Sequence, residues 1–97
     1  MEPFMYLAMN TWFKRDLGVE FGWGNGYVAL PKGHKYYQVD YDDIPVDVHG
    51  GLTYSQQMGD YWVVGFDTAH FSDTIEKWPM EAVLAETQKL FDQLNTL

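Results

Sequence analysis

Tyr61-Trp62-Val63-Val64-Gly65-Phe66 is apolar at both odd and even positions. A strand with one wet face alternates, so an unbroken apolar run of this length predicts an inner strand that a helix covers. Leu52-Thr53-Tyr54-Ser55 lies just upstream, and Gln56-Gln57-Met58-Gly59-Asp60 joins the two as a hairpin connection. Downstream, Pro79 to Asn95 sets Met80, Val83, Leu84, Thr87, Leu90, Phe91 and Leu94 at three- and four-residue spacing. Glu81, Glu86, Gln88, Lys89, Asp92 and Gln93 fall on the opposite side. This is an amphipathic helix, with Pro79 suited to its first turn and Glu81 to the positive end of its dipole. The predicted fold class is α+β: a small, mostly antiparallel sheet of two hairpins with the C-terminal helix packed on one face.

The other hairpin is read from Val19-Glu20-Phe21-Gly22-Trp23 and Tyr27-Val28-Ala29-Leu30. Gly24-Asn25-Gly26 between them offers the positive φ angles of a tight turn. Pro31-Lys32-Gly33-His34-Lys35 then breaks the strand, and Tyr36 to Asp43 reads as an exposed loop. Ile44 to His49 is a short strand candidate in which Pro45 demands an edge or a first position. Met5 to Leu17 reads as a short helix or an irregular segment. No repeat or long linker divides residues 1–97, which are expected to form a single domain.

The chain has 97 residues, no cysteine and a formal charge of −8. That charge disfavours direct binding to nucleic acid or to anionic membranes and permits a basic protein partner. Without cysteine there is no disulfide, thiolate nucleophile or sulfur-ligated metal. No apolar run approaches the ~20 residues of a membrane span, and the first residues lack a basic signal region. The expectation is a cytoplasmic protein. Aromatic residues make up 18% of the chain, more than a core of this size must hold. Some are expected to line a pocket or the interface of a homodimer.

Residues 36–76 contain no Lys or Arg, yet they hold eight carboxylates and two of the three histidines. Uncompensated carboxylates repel, so the cluster calls for full solvation, a bound cation or a donor-rich ligand. Asp47 and His49 are two apart, which puts both on one face of a strand. Asp67, His70 and Asp73 are three apart, which gathers them in a compact turn. The second hairpin brings the two groups together at its open ends. Imidazole with carboxylate oxygen suits Zn, Mn or Mg, with Asp47, His49, Asp67 and His70 as candidate metal ligands. The competing reading is a set of solvated turns, since Asp bonds readily to its own backbone.

His34, flanked by Lys32 and Lys35, reads as an anion site or an exposed turn. Folded over the acidic groups, it would complete a pocket with aromatic walls at Tyr36, Tyr37, Tyr41 and Trp62. The candidate ligand-binding set is His34, Lys35, Tyr37, Tyr41, Asp43, Asp47, His49, Thr53, Trp62, Asp67, His70 and Asp73. Gly22, Gly24 and Gly26 do not have dinucleotide-fingerprint spacing. Neither Ser55 nor Ser72 has an elbow motif.

Gly26 to His34, Tyr41 to Thr53 and Trp62 to Asp73 carry the elements Asp-Val-His-Gly-Gly-Leu-Thr and Gly-Phe-Asp-x-Ala-His. In these the chain resembles a family of small, uncharacterised bacteriophage and prophage proteins, over about residues 24–94. The resemblance implies a counter-defence setting in the host cytoplasm. The leading expectation is a binding protein that sequesters a nucleotide-derived signal, such as a cyclic nucleotide or a cyclic ADP-ribose. The alternatives are a metal-dependent phosphoester or nucleotide hydrolase using the Asp/His cluster, and an acidic inhibitor of a host defence protein.

Overall fold

The structure is a computed structural model that describes residues 1–10, 21–70 and 72–96. Among these residues are four strands, β1 (Phe4–Met9), β2 (Gly24–Pro31), β3 (Tyr54–Met58) and β4 (Tyr61–Phe66), and one α-helix, α1 (Met80–Asn95). The strands form one sheet in the order β1-β2-β4-β3, with every pairing antiparallel. The α+β prediction holds: α1 packs on one face of a wholly antiparallel sheet. Among the described residues, no helix is long and apolar enough to cross a membrane.

β4 is an inner strand, as its continuous apolar run required. Its hairpin with β3 turns through Gly59 and Asp60, with Gly59 at φ +60°. The turn is tighter than the five-residue connection expected, because Gln56, Gln57 and Met58 extend β3 along the sheet edge. All three are exposed, so the two glutamines mark a wet sheet edge, not a loop.

The expected first hairpin is absent. Gly24, Asn25 and Gly26 lie within β2, opposite Met9, Ala8 and Leu7 of β1. Phe21 to Trp23 form no strand, and residues 19 and 20 lie outside the described set. These glycines serve close approach, not a turn. A Cβ on Gly26 would strike Thr87 Oγ1 and the Phe66 ring, so α1 crosses β2 where no side chain intervenes. A Cβ on Gly24 would strike the Ala8 carbonyl. The helix or irregular segment expected over Met5 to Leu17 is also corrected. Phe4–Met9 is an edge strand, its Tyr and Phe favouring the pleat, and residues 11–17 fall outside the described set.

The register puts Met5, Leu7, Val28, Leu30, Trp62, Val64 and Phe66 on the helix side. There they meet Val83, Leu90 and Leu94 of α1 in one apolar core. The helical stripe is narrower than predicted, since Met80 and Leu84 stay 45% and 43% exposed. Thr87 is fully buried, and its hydroxyl donates to the Val83 carbonyl.

The rest of that core is closed by residues 36–48, which are neither a strand nor an exposed loop. Tyr36, Ile44 and Val48 are buried in it. The indole N–H of Trp62 donates to the Val39 carbonyl at 2.8 Å. Pro45 has no N–H to give a ladder. The neighbouring donors go elsewhere: Val46 N–H to the Ile44 carbonyl, and Asp47 N–H to Gln93 Oε1 of α1 at 2.8 Å.

Candidate functional site

α1 fixes the loop that carries His49. Gln93 accepts from Asp47 N–H and returns a bond to the Asp47 carbonyl at 2.9 Å. About two turns back along the helix, Glu86 Oε2 accepts from His49 N–H at 2.7 Å. The two helical side chains thus take up backbone groups that a strand would have paired, and they aim His49 toward the end of β4.

Past that end, Thr68 is fully buried. Its hydroxyl donates to the Gly24 carbonyl at 2.7 Å, and its own carbonyl accepts from Gly22 N–H. This anchors the turn that follows. Asp73 N–H donates to the His70 carbonyl at 3.0 Å, and His70 N–H donates to Asp73 Oδ2 at 2.9 Å. Ser72 closes the turn at φ +76°, a left-handed conformation that a non-glycine residue adopts only where its surroundings impose it.

The two imidazoles meet on one carboxylate. His49 Nε2 lies 2.8 Å from Asp73 Oδ1, and His70 Nδ1 lies 3.1 Å from Asp73 Oδ2. The rings stand edge to face with centroids 5.3 Å apart. Trp78 lies against the other side of His49, its ring centroid 4.1 Å away. Gly50, at φ +70°, passes so close to His70 that a Cβ there would fall 2.5 Å from the ring. Asp73 is 5% exposed, whereas His49 and His70 are 25% and 34% exposed. The site is therefore a buried anchor with two accessible rings.

Electrostatics reinforce this arrangement. Burial by itself would raise the pKa of Asp73. Hydrogen bonds from the His70 backbone and from the His49 and His70 rings outweigh it, and the carboxyl titrates below its ordinary value. An ionised Asp73 only accepts, so the ring protons face it from His49 Nε2 and His70 Nδ1. Asp67 Oδ1 lies 3.1 Å from His70 Nε2. That oxygen is buried and has no aligned hydrogen-bond partner among the described residues. In the neutral ring, Nε2 turns a lone pair toward it, and only a proton or a cation makes such a contact attractive.

His49, His70 and Asp73 each offer a ligand atom, all within 4.8 Å of one another, and this trio could hold a metal ion. Two imidazoles and a carboxylate form a donor set suited to borderline divalent metals, and three protein ligands leave a coordination position open. Two of the four residues expected as ligands, His49 and His70, are in this group. Asp67 borders it through His70. Asp47 does not belong to it, because its side chain is 94% exposed and pairs with Lys89, at 3.9 Å. The reason is that residues 46–49 are not a strand, so a spacing of two does not put Asp47 and His49 on one face.

The composite pocket is also not assembled. His34 packs at the far end of α1, with Nε2 3.1 Å from Asn95 Oδ1 and Nδ1 accepting from Tyr36 N–H. Asn95 is nine residues beyond Glu86, about 13 Å along the helix axis. Lys35 sits over the Tyr36 ring. The Tyr37 hydroxyl accepts from Gln57, and Tyr41 N–H is within bonding distance of Asp40 and Ser55. Asp43 is exposed at the end of a short 3-10 turn, and Thr53 is exposed with its N–H on the Gly65 carbonyl. Trp62 is part of the core. These residues are structural or solvated and stand apart from the His/Asp group.

Sequence reasoning missed Trp78 and Glu86. Trp78 was readable as an aromatic just before the helix, but nothing local pointed it at His49. Glu86 was assigned to the water-facing side, and its site-facing role depends on where the 46–50 loop runs. Comparison with protein-family models, curated proteins and solved structures finds no match.

Proposed function

We propose that the protein is a divalent-metal-dependent hydrolase of a small phosphoester, with His49, His70 and Asp73 as the metal ligands. The observation that carries this reading is the convergence of two imidazoles from distant stretches on one buried, ionised carboxylate. A metal would need a lone pair from each ring, so its binding competes with protonation of the imidazoles and weakens in acid. The open position would take a water or a substrate oxygen, and the ion would lower the pKa of bound water and polarise the phosphorus centre. Asp67, whose buried Oδ1 lies 3.1 Å from His70 Nε2, is the candidate general base that would take a proton from that water. In a chain of charge −8 the ion would also offset repulsion of an anionic substrate. Its resemblance to phage proteins adds nucleotide-derived defence signals to the substrates to be screened.

Sequestration without turnover is the second reading, favoured by the partial exposure of both imidazoles. Nucleotide-specific contacts have less support, since Tyr37, Tyr41 and Trp62 are engaged elsewhere. The test is elemental analysis of protein purified without chelator, followed by hydrolysis assays on bis(p-nitrophenyl) phosphate and cyclic dinucleotides with added Zn, Mn or Mg. Metal-dependent release of product that His49→Ala abolishes supports the hydrolase. Metal-independent tight binding of an unaltered nucleotide supports sequestration. Protein that takes up no metal defeats the hydrolase reading.

A further inference from the structure

The sheet face away from α1 has an unusual composition. By register it carries Phe4, Tyr6 and Ala8 of β1, Asn25, Tyr27, Ala29 and Pro31 of β2, Tyr61, Val63 and Gly65 of β4, and Tyr54, Gln56 and Met58 of β3. None of these side chains is charged, although the chain has 20 Asp, Glu, Lys and Arg residues, 14 acidic and 6 basic. Five are aromatic, and they touch one another. Tyr6 stacks on Tyr27 at 5.0 Å, Tyr27 meets Tyr54 edge-on at 5.4 Å, and Phe4 meets Tyr61 edge-on at 5.0 Å. Gly65 makes room for this row, because a Cβ there would strike the Tyr27 ring. Beneath the rings, Ala29 and Val63 are 0% and 3% exposed. Phe4 and Met58 at the margins remain 46% and 48% exposed. Burial and the neighbouring Tyr27 and Tyr54 hydroxyls raise the Tyr6 pKa above its ordinary value, so this buried-side hydroxyl adds no charge to the face.

We propose that this face is the interface of a twofold homodimer, the occupant being a second copy of the same chain. Charge selects the partner. Two copies of charge −8 repel through any surface that bears carboxylates, but this face lets them meet with their charges at the periphery. A partner of opposite charge would be recognised elsewhere on the molecule, where the carboxylates are. Size sets the strength. Four strands at ~4.8 Å spacing and about six residues at ~3.3 Å give a footprint of roughly 400 Å² per copy. With the relief of the rings included, the pair would bury on the order of 1,000 Å² in total, the lower bound for a specific interface. The expected assembly is a weak, reversible dimer of aromatic core and polar rim, with a dissociation constant of about 1–100 μM. Sheet-on-sheet packing at ~10 Å would leave the His49–His70–Asp73 site at the sheet end untouched.

Sedimentation equilibrium from low to high micromolar protein tests this. The wild type is expected to shift from monomer to dimer across the range. Phe4→Glu and Tyr61→Glu, each adding one carboxylate to the face of both copies, are expected to weaken association at least about tenfold. Met80→Glu, on an exposed position of α1, should leave it unchanged. Circular dichroism and melting temperature confirm that each variant is folded. A wild type that stays monomeric throughout overturns the proposal. So does a dimer that survives both face substitutions, which would place the contact at the β1 or β3 edge. A monomeric wild type in which Phe4→Glu lowers the melting temperature would mean that the face is covered from within the chain.

Discussion

Replacing Asp73 by Asn takes one carboxylate oxygen and the charge from a side chain that is 5% exposed and accepts from three donors. The amide oxygen can keep one side of the arrangement. Its NH2 group must then face either the His70 N–H, which cannot accept, or His49 Nε2, which accepts only in its other tautomer, so at least one charge-assisted bond to the carboxylate is lost. Bonds to charged groups contribute roughly 1.5–3 kcal/mol each, and an unpaired buried donor costs a similar amount. Because the three bonds share one acceptor and do not add independently, the expected loss is about 2–3 kcal/mol. For a domain of this size that lowers the melting temperature by roughly 10–20 °C. The assay is urea unfolding followed by tryptophan fluorescence, with chelator present so that no ion contributes. The pH dependence follows from the direction of the shift. The folded-state pKa of Asp73 is lowered relative to its unfolded value of about 3.9. Its contribution is therefore fully present above that value and is lost as pH falls through the lower folded value. The gap between wild type and variant should hold from neutral pH to about pH 5 and close at stronger acidity. An unfolding free energy within about 0.5 kcal/mol of wild type at pH 7 would refute the reasoning.

Gly50→Ala should strain a residue held at φ +70° and drive a methyl group into His70. We expect a loss of about 1–3 kcal/mol and weaker metal uptake, read by melting and by metal titration. Gly26→Ala places a methyl group against Thr87 and Phe66 in the core. It should cost about 3 kcal/mol or more and, on thermal melting, rank well above an exposed Gly33→Ala. Asp47→Ala, at a side chain that is 94% exposed, should change stability by less than about 0.5 kcal/mol and leave metal affinity unaltered. Loss of metal binding in Asp47→Ala would show that the 46–49 loop is misplaced.

Where one periodicity dominated, the sequence was legible. The continuous apolar run at Tyr61–Phe66 identified an inner strand, and the stripe from Val83 to Leu94 identified the helix that covers the sheet. Gly24-Asn25-Gly26 misled because glycine has two uses, positive φ and close approach, and the local sequence does not distinguish them. The second use depends on Thr87, some sixty residues away. The convergence of His49 with His70 was legible because a hairpin joins their stretches and unbalanced carboxylates mark both. The exact donor set was not. Asp47 was favoured by strand spacing, but Pro45 and the side chains of Gln93 and Glu86 hold that segment as a loop against α1 and turn Asp47 outward. The aromatic excess predicted a pocket or an interface without saying where, and the β-sheet register shows that five of those rings share one uncharged face.

His49, His70 and Asp73 either act together as one metal site or do not bind a metal as a group. Titration calorimetry with Zn and Mn at two pH values above neutrality measures this. We expect one ion per chain with micromolar or tighter affinity, and loss of the site in His49→Ala, His70→Ala and Asp73→Ala alike. No heat of binding in the wild type, or equal binding in the three variants, would contradict it.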